Sequence, residues 1–188
     1  KEKFNEKILI GTSCNSLNDT IDIMDHSIKL SFRDFLIMNV AYYKNEDSGV
    51  YNFYKNIIKS VPEAKIIIYN FSKLSGYAFS PEITKKLIRD FPKNIIGMKD
   101  STGNLWNTFK SENFSMFVGS EKKLLNGLKI GAAGCISATT NITGTLAKKV
   151  FDDFNEKGNS SSDEKLKAVR TVFDDTGNLI SALHTLKG

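Results

Sequence analysis

The chain has 188 residues, of which 40% are hydrophobic and 25% charged, the profile of a globular domain with a real core. Its formal net charge is +5, but the 26 basic residues are scattered among 21 acidic ones and cluster no further than Lys-Lys pairs, so a nucleic-acid-binding stripe is excluded. No apolar run approaches the ~20 residues of a membrane-spanning helix, which sets a membrane partner aside as well.

Residues 1–7 (KEKFNEK) contain no apolar segment of the kind a signal peptide needs. From there, short apolar runs alternate with longer amphipathic stretches. The runs are 7–13 (KILIGTS), 35–40 (FLIMNV), 65–70 (KIIIYN), 94–99 (NIIGMK), 115–119 (SMFVG) and 134–138 (GCISA). Short, rich in Ile and Val and almost continuously hydrophobic, they predict strands buried on both faces of a parallel sheet. Helical patterns fall between them at 17–30, 47–60, 81–91, 103–111, 121–130 and 143–157. Ser80-Pro81-Glu82 is a helix start, with an N-cap serine, proline at the first helical position and an acid in the first turn. Two further helices are expected over 162–175 and 177–187, broken near Gly177, and 158–163 (GNSSSD) is a loop. Six strand–helix units mean an α/β fold. No GxGxxG or GxxxxGK[ST] appears, which argues against the nucleotide-binding forms of that class. Cys14 and Cys135 lie far apart and are expected to be reduced, buried thiols of a cytoplasmic protein.

In parallel α/β folds reactive residues gather at the C-terminal ends of the strands. Here that edge carries Thr12-Ser13, Ala41-Tyr42-Tyr43, Tyr69-Asn70, Lys99-Asp100, Gly119-Ser120-Glu121 and the segment from Ser137 to Asn141. It has no histidine: His26 falls in a helix and His184 near the C-terminus, so neither a histidine base nor a metal site is indicated. Lys99 ends an otherwise apolar strand. Two readings are open for it: a side chain snorkelling to water, or a desolvated amine whose neutral form attacks a ketone to give an imine. Gly97 lies on the same strand face and is expected to leave space beneath the amine. Tyr69 ends the preceding strand at the same level, where a phenol could move protons to and from a carbinolamine.

These segments resemble the dihydrodipicolinate synthase / N-acetylneuraminate lyase family. Residues 95–105 (IIGMKDSTGNL) resemble its Schiff-base segment and 68–76 (IYNFSKLSG) its tyrosine segment. Residues 41–54 resemble its paired-tyrosine segment, and 117–141 (FVGSEKKLLNGLKIGAAGCISATTN) its seventh and eighth strands. The resemblance runs in order from about Lys7 to Phe154. It implies a (β/α)8 TIM barrel, of which this chain supplies about strands 3–8. On that reading 1–157 is a partial barrel and 158–188 a C-terminal helical segment packed on it. It implies a homo-oligomer, a dimer or tetramer, with no cofactor and no metal. Lys99 would form an imine with pyruvate or a related 2-keto acid, Tyr69 would relay protons, and Tyr43 would reach across a subunit interface. Ser137 and Gly119 would contact the keto acid, with Glu121, Lys73 and Leu74 toward the second substrate.

Three departures from the pattern shape the expectation. The segments for the first two strands, including the Gly-Thr-Thr-Gly-Glu-like carboxylate site, are not in this sequence, so the chain is expected to be a fragment or to be completed by another chain. Leu74, beside Lys73, stands where the synthase branch carries an arginine for its aldehyde substrate, which favours a lyase or keto-sugar-acid aldolase. Glu121 fits one of the two acids that bind sugar hydroxyls in the sialate branch, but Lys122 replaces the other. The alternatives are a synthase condensing pyruvate with aspartate semialdehyde, and a non-catalytic barrel remnant.

Overall fold

The structure is a computed structural model that describes residues 8–12, 14–103, 105, 109, 113–177 and 181. It forms two compact units, Lys1–Ser115 and Met116–Gly188.

The first unit alternates strand and helix. Its elements are β1 (Ile10–Gly11), α1 (Leu17–Lys29), β2 (Asp34–Ile37), α2 (Asp47–Ser60), β3 (Lys65–Asn70), α3 (Ser72–Ser75), α4 (Pro81–Asp90) and β4 (Ile95–Asp100). The four strands lie side by side in chain order and all pair in parallel. Each strand–helix unit returns the chain to the next position in the sheet, which is why the strand ends collect on one edge. Phe35, Ile37, Ile66, Ile68, Ile95 and Met98 are at most 1% exposed, as expected of strands covered on both faces. Tyr54 from α2 is fully buried among them, and its hydroxyl donates to the Ile37 carbonyl (2.8 Å), so the phenol enters the core with its polar atom satisfied. The helix start at Ser80 forms as the sequence indicates: the Ser80 hydroxyl accepts from the Ile83 amide (3.3 Å) and Pro81 opens the helix.

The β3–β4 ladder contains a register shift. Ile66 pairs with Ile95, but Ile67 pairs with Gly97, so Ile96 is an extra residue in β4. Beyond it Tyr69 pairs with Lys99 and Asn70 with Asp100. Gly97 is needed at this point for a reason other than the one expected. A Cβ there would lie 2.5 Å from the Ser115 carbonyl oxygen, so the bare backbone makes room for another backbone rather than for the Lys99 amine.

The second unit comprises β5 (continuing from Ser115 to Val118), a 3₁₀ turn at Glu121–Lys123, α5 (Leu124–Lys129), β6 (Gly134–Cys135), α6 (Thr140–Lys157) and α7 (Asp163–Asp175). β5 and β6 pair in parallel, Phe117 with Gly134 and Val118 with Cys135. Leu124, Leu125, Leu128, Ala147, Val150 and Leu166 form its apolar core, so α7 packs on the same centre as α5 and α6. The expected helix over 121–130 divides into a 3₁₀ turn and α5, and α6 starts three residues before its expected position. Thr143 explains the early start, since its amide and hydroxyl both donate to the Thr139 carbonyl (2.9 and 3.0 Å). The expected helices over 103–111 and 177–187 fall largely outside the described residues, as do His184 and Ser13. Cys14 and Cys135 form no disulfide and are half-buried rather than buried. No described helix is long and apolar enough to cross a membrane.

Candidate active site

Lys99 and Tyr69 meet at the ends of β4 and β3. Lys99 is 8% exposed, and its Nζ lies 3.9 Å from the centroid of the Tyr69 ring. A lysine that snorkelled would carry its nitrogen into water; this one holds it against an aromatic face. The ring itself stacks on Phe71, with centroids 6.0 Å apart and planes inclined by 24°. Burial pushes the Tyr69 phenol above the ordinary tyrosine range, against a smaller opposing effect from its hydrogen bond with Ser101. The phenol is therefore a proton donor, held protonated throughout the neutral range. The amine meets the ring face-on.

The next residue on each strand is polar and buried. Asn70 is 1% exposed and Asp100 is 0% exposed. Asn70 Nδ2 donates to Asp100 Oδ1 (3.0 Å), while Asn70 Oδ1 accepts from the Phe79 amide (3.3 Å). Asp100 Oδ1 also accepts from the Thr102 amide (2.9 Å) and hydroxyl (2.6 Å), and Oδ2 accepts from the Leu105 amide (3.0 Å). The carboxylate thereby shapes the turn that follows Lys99.

Other candidates of the first unit lie at the surface. Tyr42 and Tyr43 are 85% and 63% exposed and pack edge to face, with centroids 5.4 Å apart. Asn45 Nδ2 donates to the Val40 and Tyr43 carbonyls (2.7 and 2.9 Å) and so pins the tyrosine turn. Lys73 and Leu74 are exposed on α3.

In the second unit Glu121 is 0% exposed and fully engaged. Its Oε1 accepts from the Thr139 and Thr143 hydroxyls, and its Oε2 from the Ser137 hydroxyl and from Arg170 Nη1 (2.9 Å). A carboxylate has about four acceptor positions, and four protein donors fill them here. Burial raises the Glu121 carboxyl, but the hydrogen bonds from Ser137, Thr139 and Thr143 more than offset it and hold the group below the usual glutamate range. Arg170 Nη1 also donates to the Ser137 and Thr139 hydroxyls, each at 3.1 Å, and Nε to Asp174 (2.9 Å). Ser137 is thus tied into an ion-pair network, and Gly119 is half-buried at the end of β5. Arg170 has no local motif to announce it. The signal it does carry is compositional, as one of only three arginines among 26 basic residues.

The model of the Dihydrodipicolinate synthetase family matches residues 2–181. An uncharacterized DapA-like lyase of Chloroflexus aurantiacus is 29% identical over 175 residues, which are 89% of this chain and 58% of that protein. A probable 2-dehydro-3-deoxy-D-pentonate aldolase of Escherichia coli K12 is 30% identical over 157 residues, 79% of this chain and 52% of that protein. The chain thus spans little more than half the length of these relatives. The crystal structure of the chloride-inhibited dihydrodipicolinate synthase from Acinetobacter baumannii complexed with pyruvate superimposes with a TM-score of 0.83 at 23% identity, covering 99% of this chain and 67% of that one. That likeness gives the fold: part of a (β/α)8 barrel, corresponding to about strands 3–8 and the helices that follow.

Proposed function

The chain belongs to the dihydrodipicolinate synthetase family, and from that premise we propose that it is the Lys99-bearing part of a class I aldolase-type lyase. The observation that carries the reading is Lys99 itself, an amine withdrawn from water and set on the Tyr69 ring one hydrogen-bonded strand away. The neutral amine adds to the C2 carbonyl of pyruvate or a related 2-keto acid. A proton passes to the carbinolamine oxygen, which leaves as water, and the protonated imine remains. Loss of a C3 proton gives the enamine, whose carbon attacks an aldehyde; cleavage runs the same steps backwards. Tyr69 is the proton donor to the departing oxygen. Ser137 and Gly119 contribute keto-acid contacts, and Lys73 and Leu74 face the second substrate. The protein is a homo-oligomer in this reading, with Tyr43 at a subunit contact. Two cysteines that form no disulfide fit a cytoplasmic location.

Leu74 favours cleavage of a keto sugar acid, since no arginine stands there for a carboxylate on the aldehyde. The retained Tyr43 and Tyr69 favour the second reading, condensation of pyruvate with aspartate semialdehyde to 4-hydroxy-tetrahydrodipicolinate. Pyruvate with borohydride is expected to fix a covalent mass on Lys99, lost in Lys99→Ala. Absence of an adduct would leave a non-catalytic barrel as the reading. Given an adduct, semialdehyde condensation measured against keto-sugar-acid cleavage separates the two activities.

A further inference from the structure

The β3–β4 ladder could close in two ways. If pairing ran without the step at Ile96, Tyr69 would stand opposite Met98 and Asn70 opposite Lys99; with the step, Tyr69 stands opposite Lys99. The apolar residues of β3 do not themselves discriminate, because Ile66, Ile67 and Ile68 are the same residue three times. One difference between the registers is steric, since only the shifted one sets Gly97 opposite Ile67, where a Cβ would meet the Ser115 carbonyl; the other is polar. Only the shifted one sets Asn70 against Asp100, with the amide of one donating to the carboxylate of the other at 3.0 Å and both at most 1% exposed. In the unshifted register the buried Asn70 amide would lose that acceptor. Leaving a buried polar group unsatisfied costs more than an average hydrogen bond contributes.

We propose that Asn70 and Asp100 are positioning residues, whose buried hydrogen bond acts with Gly97 to select the shifted register and so sets Lys99 on Tyr69. The inference rests on the reading of Lys99 as the imine-forming amine for its functional meaning, but its geometry is independent of that reading. Asp100 extends the effect beyond the strand: by accepting from Thr102 and Leu105 it holds the turn that leaves Lys99, so the lysine backbone is fixed from both sides.

The test uses the full chain and two readouts. In protein labelled with 13C-lysine, the Lys99 methylenes beside Nζ are expected to be shifted upfield by the Tyr69 ring current. Asn70→Leu removes the donor at similar volume and abolishes that shift, with far-UV circular dichroism unchanged. In the same variant, borohydride trapping of pyruvate at Lys99 slows by on the order of 100-fold, the effect of misplacing a reacting group by about an ångström. Where Asn70→Leu fails to fold, Asn70→Ala removes the same bond and is expected to give the same pair of losses. The proposal is overturned if either folded variant keeps the wild-type ring-current shift. Absence of trapping in the wild type would overturn the functional reading alone, since the ring-current comparison still decides the positioning role.

Discussion

Replacing Arg170 with methionine removes the cation from the Glu121 network while keeping an unbranched apolar stem. Glu121 is wholly buried and the Arg170 side chain is 13% exposed, so this pair is poorly screened. Stripping one partner from a buried pair costs ~3–5 kcal/mol. The low end applies here, about 3 kcal/mol by the same rule, because the hydroxyls of Ser137, Thr139 and Thr143 still donate to the carboxylate. The Asp174 contact adds little, since that carboxylate is 38% exposed. Glu121→Gln is expected to be milder, at ~1.5 kcal/mol, the low end for a hydrogen bond to a charged group. The surrounding hydroxyls can turn to accept from the new amide, and Arg170 keeps Asp174. The distinguishing result is the double variant: with no buried charge left, Glu121→Gln/Arg170→Met should be more stable than Arg170→Met alone. Because all these residues lie in 116–188, the assay is thiol labelling of half-buried Cys135 along a urea titration, read by mass spectrometry. A double variant that loses the sum of the two single effects would refute the argument.

The same carboxylate sets an acid limit. Its folded pKa is depressed, so its contribution is complete above the unfolded glutamate value of about 4.3 and is lost as the pH falls through the lower folded value. The Cys135 labelling midpoint should therefore drop below about pH 4 in the wild type, and less steeply in Glu121→Gln. Gly97→Ala should destabilise by about 1–3 kcal/mol, the usual cost of overpacking, with no relief from Ser115→Ala, since the obstacle is the Ser115 carbonyl; thermal midpoints of the three variants check this. Ser80→Ala should cost ~1 kcal/mol by losing the cap on the Ile83 amide, seen as a lower urea midpoint. Burial pushes the Tyr54, Tyr69 and Tyr77 phenols upward, so ultraviolet titration should find all three protonated above pH ~10 until the chain unfolds.

Periodicity and caps carried most of the architecture. α2 and β3 fall on the residues that the pattern of 47–60 and 65–70 indicates, because 47–60 carries a helical period and 65–70 is a short continuous apolar run with polar ends. α3 was beyond such reasoning: four residues make a single turn, too short to show a period. β6 is shorter than the run 134–138 suggests, since Ser137 turns its hydroxyl to Glu121 and Thr140 already begins α6. The pairing of Tyr69 with Lys99 was legible as two consecutive strand ends. The extra residue that makes it possible was not, because a register shift leaves the hydrophobic pattern of β4 unchanged. Likewise the sequence shows Glu121 as an available acid after a strand, and only the packing of α7 brings Arg170, 49 residues on, to fill its last acceptor position.

The three identical isoleucines of β3 also bear on how the chain reaches this state. A β3 of identical residues gives the folding chain no preference of its own between the two pairings. The decision between them is made where Gly97 meets the Ser115 carbonyl and Asn70 finds Asp100. Misregistered pairing is then a kinetic trap that hydrophobic collapse alone cannot correct. The polar tip of the ladder proofreads what the isoleucines leave undecided.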